Sequence, residues 1–301
     1  MRPEPSLQRR LVREARGAVY VEFLVAFVPL FILFLAICQY ALLMVGKLVV
    51  QHAASAAVRS AIVVLEDDPK HYGGAPRGHY QGKSRPRSDA ALLELLGQQA
   101  RASDRTSTRG GARLQVIRSA AYAPLAAVAP SHSLSSLFSV KNSLAGAIGS
   151  DPLTRLALGY AVYNRAAAAV TLPAAPGSKD PATEPIPRDA EVTVRVTYLF
   201  HCGVPIAAAL ICQPLHAILG MTDVLPNLRE VAGAGVAPEE AARTLSRLGK
   251  QAAMTAEQRR LAKELEKAEM PALQLPLLVS GERFFVLQAE ATLPNQGAGY
   301  Y

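Results

Sequence analysis

From Phe23 to Gly46 the chain carries no charged side chain, and the residue just before this run is a glutamate, Glu22. As a helix the run is about 36 Å long at about 1.5 Å per residue, enough to cross a hydrocarbon layer of about 30 Å. It is therefore read as a transmembrane span and not as a buried core helix. Arg2, Arg9, Arg10, Arg13 and Arg16 precede it against only Glu4 and Glu14. The positive-inside rule then places the N-terminus in the cytoplasm, and everything beyond Gly46 is exported. An Ala-rich helical pattern continues through Lys47, His52 and Arg59 to about Leu65, so the helix is expected to protrude past the bilayer until Glu66-Asp67-Asp68-Pro69 stops it. A secretory signal has an apolar core of only about 7 to 15 residues, far shorter than this run. A lipoprotein signal needs a small residue before its modified cysteine, whereas Ile37 precedes Cys38.

Composition narrows the function classes. With 301 residues, half of them hydrophobic, the chain can bury a real core in one sizeable domain or two small ones. Its net charge of +8 is spread along the chain and matched by acidic residues in most regions. No stripe for tracking phosphates results, and no nucleic-acid partner is expected. Trp is absent, which also argues against platforms that stack bases or sugars.

Glu22 needs an account of its own. An ionised carboxylate in hydrocarbon costs several kcal/mol unless it snorkels or finds a partner. It also lies only about 9 Å of helix beyond Arg16 and can sit at the headgroup level. The residue alone leaves both readings open.

The spacing adds a resemblance. Gly17 followed by Ala18-Val19-Tyr20-Val21-Glu22-Phe23 resembles the cleavage site of type IV pilin-like proteins, and is most similar to the TadE-like pseudopilins of tight-adherence (Flp) pilus systems. The Ala-rich segment Lys47 to Ser60 also looks like the family's helix, so the likeness covers residues 16–60. The resemblance implies a cut after Gly17 by a prepilin peptidase, Ala18 as the new N-terminus, and Glu22 and Phe23 at the fifth and sixth mature positions. It implies further that the Glu22 carboxylate of one subunit pairs with the Ala18 ammonium of a neighbour. The implied partners are the peptidase, other pilins and pseudopilins, the pilus or secretion machinery of the inner membrane and the lipid bilayer. A glycine before the scissile bond suits this chemistry, because its unshielded backbone lets a membrane protease close on it.

The chain divides into four segments. Residues 1–17 are a cytoplasmic basic leader, 18–65 the transmembrane and stalk helix, 66–113 a flexible connection with a short helix at Asp89 to Ala100, and 114–301 an exported α+β domain. Leu114 to Arg118 alternates like a strand. Ser133 to Ile148 and Pro152 to Val170 carry apolar residues at helical intervals, and Pro173 to Pro187 is a Pro-rich loop. Glu191 to Tyr198 has the cleanest strand pattern, and Arg283 to Ala291 is a second strand expected to pair near it. Ala237 to Glu269 reads as one helix whose charged face is solvated. Cys202 and Cys212 close a disulfide loop in an oxidising compartment, or remain two buried free thiols. The fold class is thus α+β, a long N-terminal helix followed by a domain with a small antiparallel sheet.

Little points to catalysis. The histidines at 52, 71, 79, 132, 201 and 216 form no helical metal pair with a carboxylate. Gly82-Lys83-Ser84 echoes the end of a phosphate-binding loop, but Arg77 occupies the position its first glycine requires. His201 beside Cys202 suggests a thiolate only if the cysteine is unpaired. No enzyme, no cofactor and no metal is expected. The alternative to a pilus role is an uncleaved single-pass anchor whose exported domain binds a partner or the cell wall.

Overall fold

A computed structural model of the chain describes residues 7–81, 111–130, 163–223, 247, 254–269 and 274–295. Helix α1, Leu7–Val64, is continuous and carries Pro29 within it. Its surroundings change along its length. Every side chain from Tyr20 to Leu30 is exposed, whereas beyond Gln39 the buried positions are 39, 43, 46, 50, 53, 54, 57, 58, 61 and 64. Recurrence at three and four residues makes one stripe, the face the helix turns to the domain. A free apolar rod thus continues, without a break, into the core of a folded unit.

The helix ends where the acidic turn was expected to stop it. The Asp68 side chain accepts from the Lys70 N–H and caps a short 3-10 turn, Pro69–Tyr72, which closes on Gly73 at φ +66°. The expected flexible connection is held at both of its described ends. Tyr80 is buried, its N–H donates to Glu184 at 2.8 Å, and Gly111 N–H donates to the Tyr80 carbonyl at 3.0 Å. The short helix expected at Asp89 to Ala100 lies outside the described residues, as do Gly82-Lys83-Ser84 and Ser133 to Ile148.

The expected strand Leu114 to Arg118 is instead part of helix α2, Ala112–Leu125. The buried positions are Arg113, Leu114, Ile117, Arg118, Ala121 and Leu125, a helical stripe in which two members are arginines. Scoring those arginines as exposed leaves only Leu114, Val116 and Ile117, which imitates a period of two. Val116 is in fact exposed. Pro152 to Val170 also differs from expectation in its described part. Residues 163–167 are helical, but strand β1, Ala168–Thr171, follows directly. An alanine-rich run has no strong preference of its own once tertiary pairing is on offer, and here β1 pairs antiparallel with β2.

Among the described residues four strands form one antiparallel sheet in the order β1-β2-β4-β3. Strand β2 is Glu191–His201, β3 is Gln213–Pro214 and β4 is Arg283–Pro294. Strand β4 pairs with β2 from Glu191↔Pro294 to His201↔Phe284, as the sequence pattern anticipated. Short helices α3, Ala207–Ile211, and α4, Leu215–Ile218, flank β3. Cys202 and Cys212 are disulfide-bonded around α3. Helix α5, Ala256–Leu265, packs beside the sheet, and α6, Gln274–Val279, leads into β4.

The single helix expected over Ala237 to Glu269 is interrupted. Thr255 is an extended N-cap whose hydroxyl accepts from Gln258 N–H, while the Gln258 side chain accepts from Thr255 N–H. This reciprocal box starts a new helix and is written in the sequence as Thr255-Ala256-Glu257-Gln258. Positions 237–246 and 248–253, with Leu245, Leu248 and Ala252 of the expected apolar face, lie outside the described residues.

Candidate functional site

The N-terminal motif lies on the long helix. Gly17, Ala18, Glu22 and Phe23 all fall within α1. Glu22 is exposed and has no hydrogen bond or ion pair among the described residues. Phe23, Phe27 and Phe31 stack in succession with ring centroids 5.3 and 5.6 Å apart, an aromatic stripe at a spacing of four. Among the described residues nothing covers that stripe; Phe23 and Phe31 are 58% and 41% exposed. The apolar stretch is long enough to cross a membrane, and its most apolar window is entirely unburied.

The other end of α1 is fixed by residues that the sequence did not single out. The Arg113 guanidinium donates to the carbonyls of Val64, of Asp67 at 3.0 Å and of Ala75 at 3.0 Å, and lies 4.3 Å over the Tyr72 ring. The last carbonyls of a helix lack partners within it, and a cation there is favoured by the helix dipole. Arg113 is thus the C-terminal cap of the long helix, supplied from α2. Burial and then the hydrogen bond to Asp67 push the Tyr72 phenol up to about 12. Lower on the same seam, Gly46 removes the side chain that would otherwise collide with Phe200 of β2.

The opposite face of the sheet is polar and covered. Arg195 donates to Glu264 on α5 at 3.1 Å, to Glu290 on β4 at 2.6 Å and to the Ser178 carbonyl at 2.6 Å. Glu264 also accepts from Thr197 at 3.2 Å and Gln288 at 2.7 Å. The face of α5 expected to be solvated therefore turns one of its carboxylates, Glu264, inward. Burial raises the cost of ionising Glu290, but the Gly177 N–H and Arg195 together outweigh it and hold its carboxyl below the ordinary glutamate value. A groove of about 540 Å³ lies beside this network, lined by Lys179, Arg259, Arg260 and Lys263 among others. Its charge is already partly matched by Glu264 and Asp180.

His201 sits with Glu282 at 2.9 Å and edge-on to Phe284 at 5.8 Å. Its neighbour Cys202 is consumed by the disulfide, so this pair has an acid but no thiolate. Among the described residues no three His, Cys, Asp or Glu side chains converge in a way that holds a metal ion.

Among the described residues the chain is thus a long helix, its first apolar stretch bare and long enough to cross a membrane, with a small α+β unit docked on its distal half. The N-terminal part can be placed more closely. Residues 17–59 match the TadE-like protein family, the likeness the Gly17 to Phe23 spacing carries. No curated protein and no solved structure matches the chain.

Proposed function

We propose that this protein is a minor pilin-like subunit, a pseudopilin, that acts in assembly of a tight-adherence (Flp) pilus and performs no catalysis. A prepilin peptidase cuts after Gly17 and frees the Ala18 amine. The Glu22 carboxylate of one subunit then pairs with that ammonium on a neighbouring pilin or pseudopilin as helices bundle. The helix is held in the bacterial inner membrane with the basic leader in the cytoplasm and the domain in the periplasm, from which the subunit is drawn into the pilus machinery. Removing one partner of such a desolvated pair costs about 3 to 5 kcal/mol, enough to gate assembly.

The observation that carries this reading is the family match, which starts at Gly17 itself and runs through the helix. Glu22, exposed and without a partner among the described residues, and the exposed Phe23, Phe27 and Phe31 stripe support it, since both are open to a helix from another subunit. Mass spectrometry of the mature N-terminus is the test. The expected first residue is Ala18; an intact leader on protein from cells that build functional pili would falsify cleavage and leave the static anchor as the better account.

A further inference from the structure

The docked half of α1 fixes how deep the domain reaches. The first charge beyond the apolar run is Lys47, which is exposed. Yet the domain already touches the helix at Gln39, whose Oε1 accepts from the Val204 N–H at 3.2 Å, and Gln39 and Leu43 are buried. Gln39 lies about 12 Å of helix before Lys47 and about 26 Å beyond Glu22, within a hydrocarbon layer of about 30 Å. The part of the domain that touches Gln39 belongs to the disulfide-closed segment 203–211, whose own residues carry no charge.

Three features of that segment fit a lipid environment. Ile206 and Leu210 point away from the protein, 51% and 66% exposed. Ile206 holds φ +65°, a conformation β-branched residues rarely adopt, inside the loop that the disulfide closes. Backbone groups in lipid need partners within the protein. Here Arg283 donates to the carbonyls of Ala209 at 3.2 Å and Cys212 at 3.0 Å, and the N–H groups of Ala208, Ala209 and Cys212 donate within the segment.

We propose that segment 203–211 is a second membrane contact, a foot that sets Ile206 and Leu210 among the acyl chains of the exported leaflet beside α1. It rests on the reading of α1 as membrane-spanning. The foot fixes the domain against the bilayer surface and must leave the lipid when the subunit is extracted.

The chain contains no Trp, so one substitution supplies a single reporter. The full-length protein carrying Leu210→Trp, and separately Ile206→Trp, is reconstituted in phosphatidylcholine vesicles containing acyl-brominated lipid. Phe31→Trp marks the membrane centre and Val63→Trp the stalk. The expected result is quenching of Trp at 210 or 206 several-fold above that at 63, approaching that at 31. If position 31 is quenched while 206 and 210 behave like 63, the foot is overturned and the patch faces another protein. If position 31 itself is unquenched, the span reading fails and takes the foot with it.

Discussion

Gly46 on α1 lies directly under the ring of Phe200 on β2: a Cβ at position 46 would fall 2.8 Å from Cδ2 and Cε2 of that ring, and 3.0 Å from Cδ1 of Leu287. The helix and the sheet approach this closely only because the side chain is missing. Glycine inside a helix costs about 1 kcal/mol relative to alanine, so the position is held against local preference.

Replacement at this position should therefore act on docking. Gly46→Ala gains about 1 kcal/mol of helix propensity but loses about 1 to 3 kcal/mol to overpacking. Gly46→Leu gains a similar propensity and finds no volume at all. Thermal unfolding of the full chain in detergent should show the leucine variant melting well below the alanine variant; equal melting would mean that Phe200 is not fixed over the helix.

Arg195 and Glu264 should be strongly coupled. Both side chains are buried, 4% and 9% exposed, so removing either leaves the other buried charge short of a partner, at a cost below the about 3 to 5 kcal/mol of a fully orphaned charge because Glu290 still faces Arg195 and Arg260 still faces Glu264. Arg195→Met with Glu264→Met should cost clearly less than the two single changes summed. A double-mutant cycle in chemical denaturation reads this directly, and simple additivity would show that the pair does not interact.

Glu290 should make the domain acid-sensitive. Its carboxyl titrates lower folded than unfolded, because the Gly177 N–H and Arg195 outweigh the opposing effect of burial. The stabilisation is fully present above the unfolded value, about 4.3, and is lost as the pH falls through the folded value. Melting temperature should drop over that acidic window, with a shallower slope in Glu290→Gln. An unchanged slope in the variant would assign the acid sensitivity to other carboxylates.

Glu22→Val should leave cleavage after Gly17 intact while abolishing incorporation into pili, since the carboxylate serves the neighbouring subunit and not the protease. Immunoblots of sheared pili against membrane fractions separate the two effects. Equal incorporation of the valine variant would remove Glu22 from the assembly mechanism.

Part of this was legible residue by residue. The uncharged run, the acidic stop after Val64 and the pairing of the Glu191 and Arg283 strands are local patterns, and each reappears in the fold. The solvated face read for Ala237 to Glu269 misses Glu264, and the strand read at Leu114 to Arg118 misses the buried Arg113 and Arg118, because a pattern reading sends charged side chains to water, whereas each of these has partners supplied by a distant segment. The break at Thr255 was readable from its capping box and was hidden by the apolar spacing on both sides of it.

Sequence by itself determined that residues 23–46 form a helix fit for lipid and that Gly17, Glu22 and Phe23 stand at its mouth, because apolarity, charge and spacing are properties of contiguous residues. Tertiary structure decided where the domain grips that helix, at Gln39 and not beyond Lys47, and which buried charges are tolerated. Those outcomes depend on the backbone approach at Gly46 and on hydrogen bonds between residues far apart in the chain, which no local pattern encodes.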